Sequence, residues 1–217
     1  LTGREIERAL LEAAAAQPNI VLYSHHIAVD LITVRRPFNA SIGPPSDVCC
    51  WGAYVLDTKD GVISKCLAKA TLLCTGGAGQ VYLRTTNPPI ATGDGIAMAY
   101  RAGAVVSNLE FVQFHPTALY HPDAGSFLIS EAVRGYGGIL VNYMKDPFME
   151  KYHEMGSLAP RDVVAQAIVE EMKVSGEPCV YLDVTHKDAE ITRRRFPNIH
   201  ERCLTCDIDI TRQLIPV

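Results

Sequence analysis

Apolar positions at the start of the chain recur at helical spacing. Ile6, Ala9, Leu10 and Ala13 share one face, and Pro18 with Asn19 ends the run. Thr2 followed by Glu5 has the spacing of a capping box, so a helix is predicted from Thr2 toward that turn. Residues 20–34, IVLYSHHIAVDLITV, then read as extended, and RRPFNASIGPPSD, residues 35–47, reads as a loop. Short strands are predicted within 51–74 around a turn at Asp60 and Gly61. Cys49 and Cys50 are taken as strand residues whose side chains point to opposite faces. An apolar strand runs through ATLLCTGGAGQVY, residues 70–82, into Gly76, Gly77 and Gly79. Thr92, Gly93, Asp94 and Gly95 open a helix that ends near Gly103. After Pro160, a further helix carries Val163, Val164, Ala167 and Ile168 on its buried side.

With 48% apolar residues among 217, the chain can bury a sizeable core in one large domain or two small ones. Twenty basic against 24 acidic side chains leave a net charge of −4, which offers no general basic field for nucleic acid or an anionic membrane. The one basic run, Arg193 to Arg195, reads as a solvated helix face. No apolar run reaches the ~20 residues a membrane span needs, and LTGREIERAL lacks the order of a signal peptide, so a cytoplasmic location is expected. Seven cysteines without a framework are expected as thiols. Cys203 and Cys206 form a C-x-x-C pair, but with no second pair and no nearby pair of histidines no metal site is expected. His25 and His26, lacking a third ligand, read as core or edge residues.

Four features carry candidate chemistry. In EFVQFHPTAL, residues 110–119, His115 sits within an apolar stretch; a buried imidazole without partners loses roughly 1–3 kcal/mol, so it is either satisfied by the core or placed for chemistry. Gly76 and Gly77 let backbone come close to another segment or to a phosphate-bearing cofactor. Asp94 either caps its helix or accepts hydrogen bonds from a sugar or ribityl hydroxyl. Arg161, at the start of its helix, opposes the helix dipole at a cost of about 0.3–1 kcal/mol, and either pairs with Asp162 at the surface or serves a site.

The ordered series TGGAGQVY, TTNPPIATGDGIAMAYRAGA, NLEFVQFHPTALYHP, EAVRGYGGIL, LAPRDVVAQAI and VYLDVTH resembles the flavoprotein family of succinate dehydrogenases, fumarate reductases and L-aspartate oxidases across essentially the whole chain. HPTALYHP and DIDITRQLIPV are most similar to the L-aspartate oxidase branch. The resemblance implies oxidation of L-aspartate to iminoaspartate, with FAD as cofactor and oxygen or fumarate as acceptor. That reaction is the first step of bacterial NAD biosynthesis, with quinolinate synthase downstream. By resemblance, His115 holds a substrate carboxylate, Ser130 and Glu131 line the same pocket, and Arg161 moves the proton, while Asp94, Gly76 and Gly77 contact FAD. Phe111, Phe114 and Leu119 are expected to pack in the core around His115.

Three positions depart from the family pattern: Ser130 stands for a threonine, Tyr136 for a glutamate and Pro147 for an arginine. The chain has no G-x-G-x-x-G turn after a first strand. By resemblance, that fingerprint and a flavin-covering segment lie upstream, and a further substrate histidine and arginine downstream. The expected fold is therefore α/β with an α+β capping domain. Residues 1–108 would be the central part of a discontinuous FAD-binding domain, and 109–217 most of the fumarate-reductase-like capping domain. Taken alone, the chain is expected to be inactive and to retain little FAD. The alternatives are a succinate dehydrogenase or fumarate reductase segment, or a non-catalytic truncated product.

Overall fold

A computed structural model of the chain describes residues 2–35 and 48–217. Most of the predicted loop at 35–47 lies outside the described residues, as does the Thr2 side chain of the expected capping box. The described elements combine helices and antiparallel sheets, a mixed α/β composition.

The backbone gathers into two compact units. One takes the described residues of Leu1–Gly77 together with Gly93–Ser107, and the other takes Ala78–Thr92 with Asn108–Val217. The chain thus crosses into the second unit for residues 78–92, returns, and crosses again after Ser107.

In the first unit, α1 (Thr2–Ala15) precedes a sheet ordered β1 (His26–Arg35), β2 (Val48–Asp57) and β3 (Ile63–Leu67), all antiparallel. The β2–β3 hairpin turns at the predicted Asp60–Gly61, and Cys49 and Cys50 lie in β2. Two register shifts bend the β1–β2 ladder, one beside Gly52. A Cβ on Gly52 would come within 1.9 Å of the Cys66 carbonyl oxygen, so only glycine lets β2 and β3 approach there. Helix α2 (Asp94–Arg101) is tied to β1, since Arg101 Nε donates to Asp30 Oδ2 at 3.1 Å.

Two expectations fail in this unit. Residues 20–25 are not strand: the chain turns at Ser24 and His25, and β1 starts at His26. The apolar run 70–75 forms no strand, because a strand exists only as a hydrogen-bonded ladder and no described segment pairs with it; Leu72 is 88% exposed. Helix α1 forms as predicted, and Ile6 and Leu10 on its apolar stripe are exposed, with no described layer covering them.

The second unit holds the main core. Helix α3 (Glu131–Gly135), α4 (Arg161–Ser175), α5 (Ala189–Arg195) and α6 (Pro197–Leu204) pack with a small antiparallel sheet ordered β4 (Ile139–Val141), β5 (Tyr181–Asp183) and β6 (Ile215–Pro216). Phe148, Leu140, Leu182, Val133, Val164 and Ile215 are fully enclosed in it. The predicted face of α4 is largely the buried one: Val164, Ala167 and Ile168 are buried and Val163 packs against them. Arg193 to Arg195 end α5, where cations favour the helix dipole. Of the three apolar residues expected around His115, only Leu119 is in the core. Phe111 and Phe114 are more than half exposed, since the irregular segment before Pro116 has no apolar layer above it; the Phe114 ring meets Tyr82 edge-on at 5.0 Å. No helix among the described residues is long and apolar enough to cross a membrane.

Candidate functional site

A short ladder in the second unit fixes His115. The Thr117 hydroxyl donates to the Ile129 carbonyl at 2.8 Å, Ile129 N–H donates to the Thr117 carbonyl at 3.0 Å, and Leu119 N–H donates to the Phe127 carbonyl at 2.8 Å. Pro116 shapes the preceding turn so that Thr117 N–H donates to His115 Nδ1 at 3.2 Å. An imidazole that accepts at Nδ1 carries its hydrogen on Nε2, leaving that N–H free to donate. Burial lowers the His115 pKa, and the Arg161 and Arg134 guanidiniums press it further down. His115 is therefore a neutral donor near pH 7.

The segment 127–129 leads directly into α3, and Ser130 caps that helix by accepting the Ala132 N–H at 3.2 Å. Capping places Glu131 at the first helical position. Across from it, Pro160 starts α4 with Arg161 first in line. Arg161 Nε donates to Glu131 Oε2 at 2.6 Å and Nη1 donates to Gln113 Oε1 at 3.2 Å. The partner of Arg161 is Glu131, not the neighbouring Asp162. The Arg161 hydrogen bond holds the Glu131 carboxyl below the usual range, so it stays ionised.

Two members of this cluster were missed by sequence reasoning. Gln113 lies two residues before His115, a spacing that puts both on one side of an extended segment. Arg134 lies one helical turn beyond Glu131, at the i+3 position that faces the same way. Arg134 is 1% exposed; its Nη1 donates to the Ser157 carbonyl at 2.7 Å, while Nε and Nη2 are buried with no hydrogen-bond partner among the described residues. Burial lowers its pKa, yet a guanidinium remains charged near neutrality. Leaving two donors unmade costs roughly 1–3 kcal/mol each, a cost that core packing alone does not explain. Arg161, Arg134 and Glu131 together leave one net positive charge beside a neutral histidine, an arrangement suited to an anion. Alongside lies a cavity of about 230 Å³ whose walls include Tyr82, Arg84, Asn87, Gln113 and His115.

In the first unit, the remaining predicted residues meet at one place. Gly93 N–H donates to the Gly77 carbonyl at 3.2 Å, which sets Gly76 and Gly77 beside the start of α2, where Asp94 is the first helical residue. Gly93, with φ +81°, is the cap, so Asp94 does not cap the helix. A Cβ on Gly76 or Gly77 would meet nothing within 4 Å, so their own packing does not explain the missing side chain at Gly77; Gly76 also has φ +75°. Gly95 is explained by packing: its Cβ would fall 1.9 Å from Thr75 Oγ1. An open glycine pair next to an exposed carboxylate at a helix start fits a cofactor that brings hydroxyls close to backbone.

Comparison with known proteins places the chain in an FAD-binding class. The family described as FAD binding domain matches residues 1–217, and the chain belongs to that family. It is 54% identical over 216 residues to L-aspartate oxidase 1 of Ralstonia nicotianae and 52% identical over 216 residues to L-aspartate oxidase of Pseudomonas aeruginosa. In both cases all of this chain aligns to 39% of the relative, so the chain spans about two fifths of those proteins. Among solved structures, it superposes on a mutant E. coli quinol fumarate reductase with a TM-score of 0.80 at 30% identity, covering 97% of this chain and 37% of that one.

Proposed function

We propose that this chain is the central segment of an L-aspartate oxidase, which converts L-aspartate to iminoaspartate with oxygen or fumarate as terminal acceptor. Residues 1–108 are assigned to its discontinuous FAD-binding domain and 109–217 to the capping domain. Quinolinate synthase is assigned as the consumer of its product. The observation that carries the reading is the Arg161–Glu131–Gln113 cluster beside a neutral, donor-competent His115. Whole-chain identity of 46–54% to several L-aspartate oxidases supports the branch.

FAD, when bound, supplies the two-electron acceptor; Gly76, Gly77 and Asp94 are the residues of this chain assigned to hold it. The rest of the chemistry belongs to the side chains. His115 Nε2–H donates to one carboxylate of the dianionic substrate, and the net positive charge of Arg161, Arg134 and Glu131 attracts that dianion. Ser130 lines the same pocket while capping α3. A guanidinium holds its proton too tightly to act as a simple base. Arg161 therefore gains the substrate proton as its own Nε proton passes to Glu131 Oε2, and the guanidinium ends the step as charged as it began. Glu131 is exposed enough to release that proton to water.

The test is anaerobic bleaching of FAD in the full-length protein. Aspartate is expected to bleach it, and Arg161→Leu to slow bleaching by roughly 10²–10⁴. Faster bleaching by succinate than by aspartate would assign the chain to the respiratory branch.

A further inference from the structure

The turn that presents His115 occurs twice. At His121-Pro122-Asp123, the Asp123 N–H donates to His121 Nδ1 at 3.2 Å, the same bond at the same distance as in His115-Pro116-Thr117. Both imidazoles are thus turned to carry a donor at Nε2. They stand six positions apart, flanking the ladder that pairs 117–119 with 127–129, and an extended chain separates their Cα atoms by at most about 20 Å. His153 makes a similar bond to Met155 N–H, so the turn by itself is not a site.

What distinguishes His121 is its surroundings. A cavity of about 460 Å³ is lined by His121 with Arg84, Tyr120, Ser126, Leu119 and Pro122, all within the second unit. Arg84 makes no ion pair or hydrogen bond among the described residues, so its guanidinium is available to a ligand. The walls are held from outside. Arg202 Nη2 donates to the carbonyls of Asp123 and Ala124 at 2.9 and 3.0 Å and lies over the Phe127 ring. Tyr120 N–H donates to the Pro216 carbonyl at 2.9 Å. The cavity therefore offers an imidazole donor, a guanidinium and the Ser126 hydroxyl on a pinned frame.

We infer that this cavity is a second anion site, taking a small carboxylate through His121 Nε2, the Arg84 guanidinium and the Ser126 hydroxyl. The charge count selects the class. One cation faces the cavity, and the Asp123 carboxylate lies 3.9 Å from His121 Nδ1. A carboxylate group brings one charge to the single guanidinium even when it belongs to a longer diacid, whereas phosphate concentrates up to two charges on the group to be bound, against one cation with the Asp123 carboxylate nearby. Arg84 and Ser126 also border the His115 cavity, so a carboxylate held at His121 stands next to the site proposed for the substrate. The inference holds whether or not the whole protein oxidises aspartate, since it concerns binding alone.

The experiment is calorimetric titration of the full-length, FAD-loaded protein with malonate, which has no adjacent methylene pair to dehydrogenate, in parallel with inorganic phosphate. Two malonate events per chain are expected. His121→Gln is expected to weaken one of them by roughly tenfold or more, and His115→Ala to weaken the other. Arg84→Gln weakening the His121 event supports the same assignment, and His121→Gln alone decides the matter should that variant fail to fold. A single event in the unmodified protein, abolished by His115→Ala, would overturn the inference, as would two events untouched by His121→Gln. Phosphate competing at the His121 event as well as malonate does would overturn the carboxylate assignment.

Discussion

Replacing Glu131 with glutamine separates charge from shape at the proposed centre. The Gln amide oxygen can still accept the Arg161 Nε hydrogen across 2.6 Å, so the guanidinium keeps its position while its counter-charge goes. Both side chains are more than a third exposed, 39% for Arg161 and 47% for Glu131, and screened pairs of that kind contribute only about 0.2–1 kcal/mol to stability. The thermal midpoint should therefore fall by no more than about 2–4 °C for a domain of this size. Binding should not suffer. The local charge rises from one net positive to two, with Arg134 already uncompensated, so KM for a dianionic substrate should hold or fall. Turnover should drop by roughly 10²–10⁴, because the proton leaving Arg161 loses its acceptor. Steady-state kinetics of the full-length protein, with a melting curve of the same sample, measure all three. An unchanged kcat with a raised KM would refute the relay and make Glu131 a positioner of Arg161 for binding.

Acid sensitivity follows from His115. Its folded pKa lies below the ordinary 6.5, so its contribution to stability is complete above about 6.5 and is lost as pH falls through the lowered value. His115→Gln should narrow the drop in urea midpoint between pH 7.5 and pH 5, and an equal drop in both proteins would contradict that origin. Gly95→Ala should destabilise by about 1–3 kcal/mol, because the new methyl would lie 1.9 Å from Thr75 Oγ1; adding Thr75→Ala should recover most of the loss, and a simply additive pair would show the strain lies elsewhere. Asp94→Ala should lower the FAD absorbance retained through gel filtration of the full-length protein, with full retention counting against a cofactor role.

The second unit was legible where residues pack against residues the same chain supplies. The face of α4 could be read from Val164, Ala167 and Ile168, and Pro160 marked its start. The run at 70–75 and the stripe of α1 were read correctly as apolar, yet neither finds a partner among the described residues, and periodicity cannot say what covers a face. At the site, His115 and Arg161 stood out in the sequence itself and Glu131 came only through the family resemblance, while Asp162 was offered as the partner of Arg161 because adjacent residues are all that spacing can propose. The Glu131 pairing spans thirty positions and depends on Ser130 and Pro160 starting two helices at the same place. Arg134 escaped notice for a different reason: an arginine in a short helical segment reads as solvated, and only packing reveals two of its donors enclosed without partners.

The excursion of residues 78–92 into the second unit bears on how such a protein can be inherited in parts. Its two ends are drawn together where Gly93 N–H meets the Gly77 carbonyl, and between them Tyr82 lays its ring against Phe114. A single recombination at the Ser107–Asn108 crossing would not exchange a whole unit between two related genes. It would join Tyr82 and its neighbours from one parent to Phe114 and everything after it from the other. Lineages descending through such crossovers would survive only where the two parents agree at these contacts, which ties the variation permitted in the fifteen-residue excursion to that of a segment encoded well downstream.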